Sequence, residues 1–172
     1  LQGECGVELQ LPTASAADSC DGALSASISN NGGLNALAPA VGVYSVVYSA
    51  TDASENEGTA TLTVTITDTV EPVITIAGGN TLQGECGVEL TLPEATVADD
   101  CDSAATLEIT GLGGLDTKDP IAGVYTVTYE AMDASSNVAT AELTVTVEDT
   151  LAPVITIVGG NTLTAECGVL ME

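Results

Sequence analysis

The string Leu-Gln-Gly-Glu-Cys-Gly-Val-Glu-Leu opens at Leu1 and returns at Leu82. Cys5 recurs as Cys86, Cys20 as Cys101 and Pro72 as Pro153, always at an offset of 81 (86−5, 101−20, 153−72). About 50 of the 81 aligned positions are identical, and the register never slips. Solenoid units run roughly 20–50 residues, so a longer repeat reads as a small domain in a tandem array. The expected division is 1–71 for a first module lacking its own first strand and 72–152 for a second. Residues 153–172 would then be the first strand and start of a third, where Leu-Thr-Ala-Glu-Cys-Gly at 163–168 echoes the opening.

Each unit reads as all-β. Leu62, Val64 and Ile66 alternate with Thr63, Thr65 and Thr67, and Leu143, Val145 and Val147 repeat the pattern. Period two means one buried face and one wet face. Tyr44, Val46, Tyr48 and Ala50 share one face of another strand, and Gly78 to Asn80 reads as a turn. Tyr44 and Tyr125 open strands two residues after Gly42 and Gly123, a pattern similar to the tyrosine corner of immunoglobulin-type sandwiches. The segments 30–39 and 111–120 are short, leaving room for one or two missing sandwich strands.

Taken in order, the motifs are an Asp-Thr-x-x-Pro linker, Pro-Val-Ile-Thr-Ile, Glu-Cys-Gly, Ala-Asp-x-Cys-Asp, and a Gly-x-Tyr strand ending in Asp-Ala-Ser-x-Asn. As a set they resemble the bacterial Ig-like surface repeats related to the HYR module, over essentially every residue. The resemblance implies tandem immunoglobulin-like β-sandwich modules on secreted or surface-anchored proteins, in adhesion or structural roles.

Composition narrows the chemistry. With one Lys, no Arg, no His and 25 Asp plus Glu, the net charge is −24. Such a surface repels nucleic acid and anionic membranes and attracts cations. No run of roughly 18 apolar residues exists to span a bilayer. There is no His, no Cys-x-x-Cys and no Ser or Thr beside an activating base, so no enzyme is expected.

The Cys pairs are 15 residues apart, Cys5 to Cys20 and Cys86 to Cys101. The spacing predicts a disulfide inside each module. A loop of about 15 residues is worth roughly 3 kcal/mol in the chain-entropy model, and such bonds imply an oxidising, extracellular compartment. On that reading residues 88–100 leave and return to one end of the sandwich. Cys167 would pair with a residue of a longer array.

Acidic residues gather in two loops per unit. One holds Asp18 and Asp21, matched by Asp99, Asp100 and Asp102; the other holds Asp52 and Asn56, matched by Asp133 and Asn137. In an immunoglobulin-like sandwich these loops share a pole. Asp68 and Glu71 should meet that pole of the next module, with Asp149 repeating Asp68. Oxygen-only ligands suit calcium. The alternative is turn chemistry, in which Asp and Asn bind their own backbone. Thr69 and Thr150 follow Asp in a pattern similar to bacterial O-glycosylation acceptors.

The expected function is a structural repeat of an extracellular fibre, stalk or adhesin. Its modules join head to tail with each other, in one array or by strand donation, with calcium at the junctions. Two alternatives stand beside it: an adhesive ligand-binding module, and an acidic halophile-type surface protein without specific calcium.

Overall fold

A computed structural model describes residues 1–158 and contains only strands among them. The expectations for 159–172, including Cys167 and the repeat at 163–168, lie outside the described residues. The first half carries β1 (Gln2–Glu4), β2 (Ser15–Asp18), β3 (Gly22–Ser25), β4 (Ser27–Asn30), β5 (Gly42–Thr51) and β6 (Glu57–Thr67). The second carries β7 (Val73–Ile76), β8 (Thr81–Glu85), β9 (Ala95–Ala98), β10 (Thr106–Gly111), β11 (Gly123–Met132) and β12 (Val138–Glu148).

Each half is built on one long hairpin. β5 pairs antiparallel with β6, placing Tyr44 opposite Val64, and β11 pairs with β12, placing Tyr125 opposite Val145. The alternation read from sequence sets the packing: Val46, Val64 and Ile66 are buried in one core, and Val127, Leu143 and Val145 in the other. A third strand joins in parallel at the edge. Gly3 lies opposite Ile66 in the first sheet and Gly84 opposite Val147 in the second. The sheets run β1-β6-β5-β4 and β10-β11-β12-β8. The fold is thus all-β, with two separate cores.

The tyrosines tie connections to the sheets. Tyr44 donates its hydroxyl to Ala40 O at 2.9 Å and Tyr125 to Ile121 O at 2.8 Å, the corner expected from Gly-x-Tyr. Tyr48 and Tyr129 reach back to Pro12 O and Pro93 O across the sandwich. No strand forms between Asn30 and Gly42 or between Gly111 and Gly123, so the short middle segments are turns and bends.

One difference separates the halves. In the second, β7 pairs with β9 and lies against β11 and β12, so that Ile76 is only 7% exposed. In the first, β2 pairs with β3 instead, and among the described residues no strand lies on that hairpin as β7 does on the second. A groove of about 420 Å³ lies there, lined by Ala16, Leu24, Ala26, Tyr48, Ala50 and Ala60 among others.

Candidate functional site

The direction of the long hairpins decides where each loop falls. β6 ends at Thr67, and Cys5 N donates to Thr67 O at 2.8 Å, so Cys5 sits at the pole where the chain leaves the first sandwich. Asp21 sits at the other pole, because its Oδ2 accepts the Ala53 N–H at 3.1 Å in the loop between β5 and β6. Cys20, adjacent to Asp21, shares that pole. The 11 residues of β6 separate the two ends, roughly 30 Å at strand rise. The second half repeats this. Cys86 N donates to Glu148 O at one pole, and Asp102 Oδ2 accepts the Ala134 N–H at the other.

This geometry corrects the expected disulfides. Cys5–Cys20 and Cys86–Cys101 do not form; Cys5 bonds Cys101, 96 residues away, with Cα atoms 5.9 Å apart. Among the described residues, Cys20 and Cys86 have no disulfide partner, the first being exposed and the second half-buried. The 15-residue spacing looked like a closed loop, but that segment runs pole to pole. The exit pole of the first sandwich faces the entry pole of the second, and the bond crosses there. Cys5 is 7% exposed, and Cys101 packs against the first core. Gly6 makes the approach workable: its φ of +70° suits glycine, and Asp100 and Cys101 lie just beyond it.

Other junction contacts surround the bond. Asp68, 8% exposed, brings a carboxylate oxygen into one group with those of Asp99 and with Cys101 Sγ, all within 4.8 Å of one another. Asn137 Nδ2 donates to Asp68 O at 3.3 Å across the junction and to Asp133 Oδ2 at 2.7 Å. At the entry pole of the first sandwich, Asp18, the equivalent of Asp99, groups instead with Asp21 and Asp52 within 4.8 Å.

Much of the acidic set is engaged in turns. Asp99 Oδ1 accepts the N–H groups of Cys101 and Asp102, and Asp18 Oδ1 those of Cys20 and Asp21. Asp52 holds Asn56 through backbone and side chain at 2.8 Å each, as Asp133 holds Asn137. These bonds favour the ionised carboxylate. Cys20 and Asp21 amides hold Asp18 below the usual carboxylate range, and the Asn56 side chain does so for Asp52. Burial pushes Asp133 up, but the Asn137 side chain and backbone amides outweigh it. Glu71, Asp100 and Asp149 are exposed, and the structure does not bring them into either group.

The donor set can be tested against a cation. Cys101 is spent in the disulfide, leaving Asp68 and Asp99 as carboxylates. Calcium takes six to eight oxygens, so carbonyls and water would have to complete its shell.

Two functional side chains escaped sequence reasoning. Glu4 accepts the Thr69 N–H at 2.7 Å and its hydroxyl at 2.9 Å; Glu85 accepts those of Thr150 at 2.8 and 2.6 Å. The Thr150 side chain and amide hold Glu85 below its ordinary value. The Thr69 and Thr150 hydroxyls thus tie the start of each linker to Glu4 and Glu85. The signal was the joint recurrence of Glu-Cys-Gly with Asp-Thr.

Residues 74–147 match the family described as bacterial surface protein, Ig-like domain. Two hyalins are similar over most of the chain. That of Strongylocentrotus purpuratus is 36% identical over 138 residues, 74% of this chain and 11% of that protein. That of Lytechinus variegatus is 37% identical over 123 residues, 67% of this chain and 23% of that protein. The chain thus spans a minor part of either relative. Among solved structures, PcdhgB3 EC1-4 covers 87% of this chain and 48% of its own at 14% identity and a TM-score of 0.42. The family match and the relatives bear out the resemblance to Ig-like surface repeats, and the chain is extracellular or at the cell surface.

Proposed function

We propose that the chain is a stretch of a tandem fibre or stalk, in which each unit's leading Pro-Val-Ile-Thr-Ile strand, reached through the linker from the unit before, closes its own unit's sandwich. One observation carries this: the two units are tied pole to pole by the Cys5–Cys101 bond and by Asn137 donating to Asp68 O, with β7 seated in the second sandwich as the template for the matching groove of the first. The occupant is specified by that template. Ala14, Ala26 and Ala60 stand at the positions of Ala95, Leu107 and Ala141, which pack around Ile74 and Ile76. The same strand sequence recurs at Pro153 to Ile157, where Val154 and Ile155 are 92% and 87% exposed. Burying one isoleucine is worth roughly 1.5–3 kcal/mol, and backbone pairing adds register.

The aromatic-poor, acidic surface offers few anchor residues for a separate ligand, which favours a spacer over a binding module. Calcium belongs to the same proposal: Asp68, Asp99 and the Asp68 carbonyl would hold it between units and stiffen the junction.

The test supplies the strand. Residues 71–81 are fused before Leu1, and amide exchange is followed at 14–17 and 95–98. Filling the groove should raise protection at 14–17 to the level of 95–98. Unchanged exchange at 14–17 would sink the proposal.

A further inference from the structure

Resting on the tandem reading, we propose that Cys20 and Cys86 are the open halves of one recurring staple, which links every unit to the next in the array. Each junction would carry a disulfide from the Glu-Cys-Gly cysteine of one unit to the Ala-Asp-x-Cys-Asp cysteine of the unit after it. Free cysteines alone would not carry this. The second observation is the bond already made by their repeat equivalents, Cys5 for Cys86 and Cys101 for Cys20. Position agrees with pairing. Cys20 lies at the entry pole of the first sandwich, with Asp21 and Ala53, and Cys86 at the exit pole of the second, beside Glu148. With two sandwiches between them, they cannot reach each other within one chain. Cys20 is exposed; Cys86 is half-buried against the second core, as its equivalent Cys5 is buried in the first, and each lies at the pole a neighbouring unit would meet.

Forming such a bond removes two electrons and two protons from two thiols. An oxidised low-molecular-weight disulfide accepts them: one thiolate attacks it and releases a thiol, then the second thiolate displaces the other half.

The pattern has a mechanical consequence. Successive loops, each 96 residues long, overlap along the 15 residues between the two cysteines of a unit. Pulling force would cross a staple, run back along those residues, and cross the next staple. That segment already spans the sandwich pole to pole. A free 81-residue unit would lengthen on unfolding by about 240 Å, at roughly 3.4 Å per residue less its folded length. A stapled unit could lengthen by only about 20 Å on the same basis.

The experiment uses the full chain with residues 72–152 duplicated in tandem. The added unit carries Cys86→Ser to simplify pairing and Asp100→Asn as a mass tag that stays with its Cys101. After oxidation with glutathione disulfide and cleavage at aspartate alone without reduction, which separates Cys5 and Cys86 into different peptides, Cys5 should be linked to Cys101, and Cys86 to the added copy of Cys101. In force spectroscopy the long releases of the first two units, each near 240 Å in dithiothreitol, should vanish on oxidation. Cys5→Ser should restore the first alone. Cys86 linked to its own unit's Cys101, or left as a thiol while Cys5–Cys101 forms, would overturn the staple. Solution scattering of the reduced chain judges the tandem reading separately. A three-unit rod upholds it whatever the disulfides do, and a collapsed particle defeats it.

Discussion

The two sandwiches are near copies in sequence, yet their entry poles differ in a consistent direction. In the second, Asp133 is 5% exposed, Asn137 and Cys101 are half-buried, and Ile76 closes the core. In the first, Asp52 is half-buried, Asn56 and Cys20 are exposed, and alanines line an open groove. The residues at both poles are largely the same; what differs is the neighbour. The second pole is covered by the preceding unit's exit strand, its disulfide and β7. The closed state of the second pole therefore follows from what packs on it.

That comparison can be broken most forcefully at β7. Ile76→Asp should place a charge in the second core and cost about 3–5 kcal/mol, as large core losses do. It should lower the second unfolding transition in urea and leave the first nearly unmoved. Ile157→Asp, at an exposed repeat position, should change neither transition by more than about 0.5 kcal/mol. Equal effects at both sites would erase the distinction between a filled and an open groove.

A smaller contrast lies in the turns. Asp133→Ala removes the partner of Asn137, which also holds Asp68 O, whereas Asp52→Ala disturbs only its own hairpin. Asp133→Ala should lower the melting temperature more and loosen the junction. Equal melting shifts would mean that the junction bond contributes nothing.

Acid should act in the same places. Asp18, Asp52, Asp133 and Glu85 all have folded-state values below their ordinary ones. Their stabilisation is thus fully present above the unfolded carboxylate value near 4 and is lost as pH falls through the lower folded value. Urea midpoints should be flat from about pH 7 to 5 and fall below about pH 4. Glu85→Gln should reduce the acid slope by removing one such group.

Calcium is expected to give the smallest shift. A site filled tenfold above its Kd stabilises by about 1.4 kcal/mol. Asp68→Asn and Asp99→Asn should each abolish that gain in the two-unit chain. A melting temperature unaffected by both calcium and EDTA would leave the carboxylates as turn caps alone.

Much of this architecture was legible in the sequence. The alternation of Leu62, Val64 and Ile66 with threonines set which face is buried, and Gly-x-Tyr announced the corner. The shared pole of the two acidic loops also followed from topology. The disulfide was not legible, because spacing along the chain carries no direction. Fifteen residues can close a loop or span a sandwich, and only the parallel seating of β1 against β6 decides between them. The Glu4 and Glu85 latches were missed for a related reason: a carboxylate 65 residues from its threonine partner leaves no local pattern.

The junction holds the two units together, and the cysteine pairing of the 172-residue chain tests it most directly. The chain is refolded in a glutathione buffer, its free thiols are alkylated, and it is cleaved at aspartate alone without reduction, which leaves Cys5, Cys20, Cys86 and Cys101 in four different peptides. A linked peptide joining Cys5 to Cys101, with Cys20 and Cys86 recovered alkylated, is the predicted result. Peptides joining Cys5 to Cys20 and Cys86 to Cys101 would contradict it, returning each disulfide to its own module.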